Sequence, residues 1–188
     1  MKIKSIKTLA ALATIVVLAV AGPTQKSFAG DIELVIGTGS IKGKLFAAGN
    51  AISIASALHG KGFKIYNYGT KGSKDNIKRV TKKKKSINFG MVTAKDLSKA
   101  KAKKLKKLSG LMSLGTLGGK NILLIVRNKA PKKVSKESYA AAIANAVGLL
   151  QSGKAKKRIK AAWGGYAPAS ASAAFKKVNV KLHKAAIN

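Results

Sequence analysis

The residues best placed to do chemistry run from Thr70 to Asn76, in the order Thr-Lys-Gly-Ser-Lys-Asp-Asn. They stand between an extended run, Phe63 to Tyr68, and a helical-looking stretch that begins at Ile77. Gly72 permits a tight turn, and Ser73 is expected to cap the helix with its hydroxyl. The other free N–H groups and the positive end of the helix dipole would then face outward from a strand's carboxyl end, which makes an anion site. Lys71 and Lys74 flank it. Lysine in a first helical turn opposes the dipole, so a bound anion would relieve a cost. The plain alternative is a helix start that caps itself and binds nothing, as most such short motifs do.

A second glycine stretch, Gly37-Thr38-Gly39-Ser40-Ile41-Lys42-Gly43-Lys44, follows an expected strand at Asp31 to Ile36. It matches neither familiar phosphate motif. Gly39 to Gly43-Lys44 has three residues between the glycines where a phosphate loop needs four, and Leu45 replaces the hydroxyl residue. Gly43 comes one residue too late for the dinucleotide fingerprint, and no acid lies about 20 residues further on. What remains is a loop whose backbone N–H groups can approach a ligand. Catalysis has little to draw on. There is no cysteine, and only His59 and His183 are histidines. His59 stands where a helix should end, and His183 is the sixth residue from the C-terminal end. No histidine pair has metal spacing and the five acids do not cluster. The chain is read as a non-enzyme without metal or cofactor.

The elements that position these loops follow from periodicity. A helix is expected from the Lys44 region to His59, with Ala48, Ala51, Ile52, Ala55 and Leu58 on one face. Gly60-Lys61-Gly62 stops it, the Phe63 strand follows, and strand–loop–helix–strand opens a parallel α/β sheet. Lys82 to Lys85 reads as a solvated turn and Ser86 to Val92 as a third strand. Thr93 should open a helix through Lys107, with a thin stripe of Leu97, Ala100, Leu105 and Leu108 and lysines around it. That stripe is too narrow for a membrane-anchored helix. Leu111–Leu117 and Asn121–Arg127 read as two strands around Gly118-Gly119. Ser135 caps an amphipathic helix that buries Tyr139, Ile143, Ala146, Val147 and Leu150. Gly153 ends it, and further helices are expected at 154–163 and 168–175, then a closing segment at 178–182.

The first 29 residues read as a secretory signal: Lys2, Lys4 and Lys7, an apolar run from Leu9 to Ala21, and a small-x-small site, Ser27-Phe28-Ala29. Cleavage near Ala29 leaves residues 30–188, enough for one domain with one core. The formal net charge is +33 over 188 residues, and +29 once Lys2, Lys4, Lys7 and Lys26 are removed. Such a surface attracts acidic proteins and anionic lipid. It attracts nucleic acid in the same way and is not by itself a nucleic-acid signature; residue types, not charge, argue against that partner. Only Arg79, Arg127 and Arg158 of the 38 basic residues are arginine, and aromatics are 5%, too few for a stacking platform.

The two glycine stretches together carry a family resemblance. The chain resembles the TAXI-type solute receptors of TRAP transporters, exported proteins whose mature sequence opens on a strand and a G-T-G-G-x-G-G-x-Y-Y-P-x-G-x-A-I pattern. Ile36 to Ile52 follows that pattern without a gap, matching at Gly37, Thr38, Gly39, Gly43, Gly49, Ala51 and Ile52. The second signature, T-x-G-S-x-x-N, stands as Thr70, Gly72, Ser73 and Asn76. Asn88 to Ala100, Val134 to Glu137 and Leu182 to Ile187 resemble later segments. The tyrosine pair and proline of the pattern are Leu45, Phe46 and Ala47 here, Lys42 replaces a glycine, and Lys184-Ala185 stands for a closing Pro-Gly. The sequence of the family's second lobe is missing between Lys129 and Ser135. The resemblance therefore implies one lobe of a periplasmic-binding-protein-like α/β fold, mostly parallel, built from residues 30–130 and 134–188. It implies a periplasmic receptor that binds a small carboxylate or other anionic solute. The implied ligand residues are Thr38, Gly39, Ser40, Lys42, Lys44, Thr70, Gly72, Ser73 and Asn76, and TRAP membrane subunits would be partners. The alternative is a cationic periplasmic adaptor for an acidic protein or anionic membrane surface, with solute binding lost.

Overall fold

The computed structural model describes residues 31–82 and 87–186. The expected leader, the lysine turn at 83–85, the Ser86 start of the third strand and the closing Ile187 lie outside the described residues. The chain first alternates: β1 (Ile32–Gly37), α1 (Lys44–His59), β2 (Phe63–Tyr68), α2 (Ser73–Thr81) and β3 (Phe89–Thr93). β2 and β3 both run parallel to β1, one on each side of it. Since β1 lies between its two successors, right-handed crossovers put α1 and α2 on opposite faces. Two separate cores record this. Ala48, Ala51, Ile52 and Ala55 of α1 pack into one, and Ile77 and Val80 of α2 into the other.

Two short helices follow, α3 (Ala94–Ser98) and α4 (Ala102–Leu105), then a long hairpin, β4 (Leu108–Leu117) and β5 (Lys120–Arg127). Gly118 and Gly119 form its two-residue turn with φ of 55° and 70°, the left-handed pair that matches strand twist. Next come α5 (Lys136–Gln151), α6 (Gly153–Ala162), β6 (Tyr166–Ala169) and α7 (Ser172–Lys177). The six strands form one sheet in the order β2-β1-β3-β5-β4-β6. The molecule is thus α/β, one sheet with helices on both faces. Parallel pairing is confined to the β2-β1-β3 end, and every other pair is antiparallel. Helices α1, α5 and α6 cover one face, and α2, α3 and α7 the other. Among the described residues no helix is long and apolar enough to cross a membrane.

Four local expectations need correction. The helix expected from Thr93 to Lys107 is two short pieces, because Leu108 pairs with Arg127 and draws the chain into the sheet. The helix expected at 168–175 is instead β6 followed by α7. Its strand forms because Gly115, at φ 124°, lets the Gly165 carbonyl approach so closely that any Cβ there would overlap it. Leu58 is not on the buried face of α1 but 59% exposed. Finally, Ser73 does not cap α2. Gly72 occupies the cap position, and among the described residues the helix has no side-chain cap hydrogen bond.

Candidate functional site

β1 and β2 end side by side, and their loops are sewn together by backbone. The Thr38 N–H donates to the Tyr68 carbonyl at 3.2 Å, and the Thr70 N–H to the Gly39 carbonyl at 2.9 Å. Gly37–Lys44 and Thr70–Asn76 therefore share one edge of the molecule, at the carboxyl ends of parallel strands. β1 is also where the strand order reverses, the usual place for a crevice in such sheets.

The side chains behind this edge are interlocked. Asn76 is fully buried and donates through Nδ2 to the Thr38 carbonyl at 3.0 Å and the Met91 carbonyl at 2.7 Å. It thereby joins the ends of β1 and β3 through α2. Its Oδ1 has no hydrogen-bond partner among the described residues and lies against Gly37, so it faces back into the sheet. Thr38 is buried, and its hydroxyl donates to Asn67 Oδ1 at 2.9 Å. The buried Thr70 hydroxyl accepts from the Gly72 N–H at 3.2 Å. Ser73 Oγ accepts from the Thr93 N–H at 2.9 Å, tying α2 to the end of β3. Asn67, which the sequence reading passed over, donates to the Phe46 carbonyl at 2.9 Å and to Asn50 Oδ1 at 2.8 Å. A polar residue between two tyrosines in a strand was the available signal.

The outer layer differs. Ser40, Lys42, Lys44, Lys71 and Lys74 are exposed, and Gly72 and Ser73 partly so. Gly39 is buried, with open space where a side chain would be. Both helices that begin here lack a side-chain cap: Gly43 precedes α1 and Gly72 precedes α2. The long helices α5 and α6 begin elsewhere and are capped by Ser135 and Ser152. The first turn of α1 carries no acid. In α2, Asp75 is committed to Arg79, whose Nε donates to it at 2.8 Å, and it accepts the Lys71 N–H at 3.3 Å. Burial pushes the Asp75 carboxyl up, but these bonds and the charges of Arg79 and Lys78 outweigh it and hold it below the ordinary carboxylate value. Arg79 lies 5.1 Å from the Tyr68 ring centre, so the carboxylate, guanidinium and ring form one side of the edge.

Chemically, this edge offers two unsatisfied helix starts, four exposed lysines and no free acid of its own, an arrangement suited to holding an anion. The histidines lie elsewhere: His59 closes α1 at the opposite end, and His183 follows the isolated Gly110–Leu182 bridge. Burial and then Lys184 hold the His183 imidazole below its ordinary value. Two cavities also open away from this edge. One of about 620 Å³ lies between the C-terminus of α1 and Asn145, Gly148 and Ser152, and the other, about 240 Å³, lies at the far end of α2. No protein-family model and no curated protein matches the chain.

Proposed function

We propose that the protein is an exported solute-binding protein similar to the TAXI-type receptors, holding a small carboxylate at the paired starts of α1 and α2. The observation that supports this most is the absence of a side-chain cap on both helices at the one edge where their loops are hydrogen-bonded together. Residues divide by depth. Thr38, Thr70 and Asn76 set the loop shape, while Ser40, Lys42, Lys44, Gly72 and Ser73 stand toward the ligand. The location in this reading is periplasmic, with the leader removed near Ala29. A second reading, a cationic adaptor for an acidic protein or anionic membrane surface, is favoured by the +29 charge left once the leader's four lysines are removed from the net +33.

One substitution separates them. Gly43→Asp gives α1 its own carboxylate cap, in an extended backbone (φ −96°, ψ 153°) that suits an N-cap residue. Glycine is already a fair N-cap and the new Cβ would meet the Ser40 carbonyl oxygen at 3.1 Å, so stability should change by only about a few tenths of a kcal/mol while the carboxylate competes with an external one. Calorimetric titration with glutamate, 2-oxoglutarate and succinate, at low and moderate salt, is the measurement. A saturable one-to-one signal that survives salt and weakens in Gly43→Asp is expected. No signal, or one that vanishes with salt, would sink the receptor reading and favour the adaptor.

A further inference from the structure

The cleft at the far end of α2 is separate from the edge just described. Val80 and Thr81 form one wall, and Lys82, Lys107, Arg127 and Lys129 bring four cations around a volume of about 240 Å³. No lining residue is acidic. Arg127 ends β5 opposite Leu108, and residues 107 and 129 flank that pair, so the fold, not local sequence, gathers these charges.

Arg127 is the structural centre of the cleft. Its Nε donates to the Val80 carbonyl at 2.9 Å and its Nη2 to the Arg79 carbonyl at 3.3 Å, which closes the C-terminus of α2. A guanidinium carries five N–H donors, so three remain. Neither ion pair found among the described residues, Lys64–Asp31 or Arg79–Asp75, includes Arg127. Burial draws its protonation below the ordinary value, with only the Tyr139 hydroxyl acting the other way. A half-buried guanidinium held without a carboxylate is a standing cost of the fold, and an oxyanion in the cleft removes it. The planar fork pairs bidentately with such an anion. The size is below the roughly 300–1,000 Å³ of cofactor and drug-sized sites, which fits a small anion or a terminal phosphoryl group. Four cations with no acid match a doubly charged ligand better than a single carboxylate.

We infer that this cleft binds a phosphate-class oxyanion, anchored by Arg127 and surrounded by Lys82, Lys107 and Lys129. This inference does not depend on the receptor reading, since the two sites lie at opposite ends of α2.

The test is calorimetric titration of the purified protein with inorganic phosphate against a constant chloride background. The informative variant is Lys107→Gln with Lys129→Gln, two exposed side chains outside both cores. The charge-matched control is Lys156→Gln with Lys157→Gln on α6. Saturable phosphate binding, weakened about tenfold or more by the first pair and left nearly unchanged by the control, is expected. Equal effects from both pairs, or no saturable binding, would overturn the inference. Arg127→Lys keeps the charge and loses the fork, so it should also weaken binding. Its unfolding would leave the lysine pair to decide. Gly43→Asp should leave the part of phosphate binding that Lys107→Gln with Lys129→Gln removes unchanged, which keeps this outcome distinct from the carboxylate test. Vesicles of phosphatidic acid and of phosphatidylcholine identify the source. Phosphatidic acid binding that is lost in the Lys107/Lys129 variant supports the site with the oxyanion carried on lipid. Phosphate binding without it supports a free small oxyanion.

Discussion

Asn76 makes one amide group answer for two carbonyls from different strands, Thr38 and Met91. Removing it takes a buried amide donor from each of them, so Asn76→Ala should cost about 2–3 kcal/mol in urea denaturation. Asn76→Asp is nearly the same size but sets a carboxylate against those carbonyls, so its loss should exceed that of alanine at neutral pH. An aspartate variant as stable as wild type would show that the amide donors do not matter. The sequence placed Asn76 at the helix start, but its direction was not legible there. Whether its amide meets a ligand or the strand ends depends on how α2 docks across β1 and β3. Ser73 is the same case. Its spacing reads as a helix cap, yet its hydroxyl is taken by the Thr93 N–H, 20 residues later. The local motif and the tertiary contact compete for one oxygen, and the contact wins.

At the level of elements, the legible parts were those whose pattern repeats. β1, α1, β2 and α2 follow apolar periodicity bounded by glycines, and α5 carries both a serine cap and a continuous apolar face. β6 was not legible because four residues, with Pro168 among them, make too short a pattern, and its pairing depends on the distant Gly115. The break between α3 and α4 has the same origin, since the demand of the β4–β5 hairpin for Leu108 is invisible locally. Glycine spacing was read correctly as turn chemistry, but the structure separates glycines that need their conformation from those that do not. Gly72 sits at φ 91°, ψ −159°, a region that only glycine occupies readily. Gly72→Ala should therefore lose about 1–3 kcal/mol although no atom would clash with its Cβ. Gly39, with neither a positive φ nor a neighbour within 4 Å, should tolerate alanine with a change inside about 1 kcal/mol. Thermal unfolding of the two variants checks this, and equal losses would mean that the α2 turn is not conformationally demanding.

Across the whole molecule, a formal charge of +33 is set against two ion pairs among the described residues. The charge total was legible from composition, but not the way the hairpin collects Lys107, Arg127 and Lys129 beside the end of α2. Self-repulsion on this scale opposes the compact state. Raising sodium chloride from about 10 mM to about 200 mM shortens the screening length from roughly 30 Å to under 10 Å, so Tm should rise. A flat or falling Tm would mean that the lysines are already locally balanced. Phosphate adds a second, separable effect. Screening depends only on ionic strength, whereas an occupied cleft stabilises the fold by mass action. Phosphate also strengthens burial generally as an excluded salt, so its excess over chloride at matched ionic strength is not diagnostic alone. The part of that excess that disappears in Lys107→Gln with Lys129→Gln, and persists in Lys156→Gln with Lys157→Gln, belongs to the cleft. If both double variants keep the full excess, the charge of this protein acts as a diffuse field and not through a site.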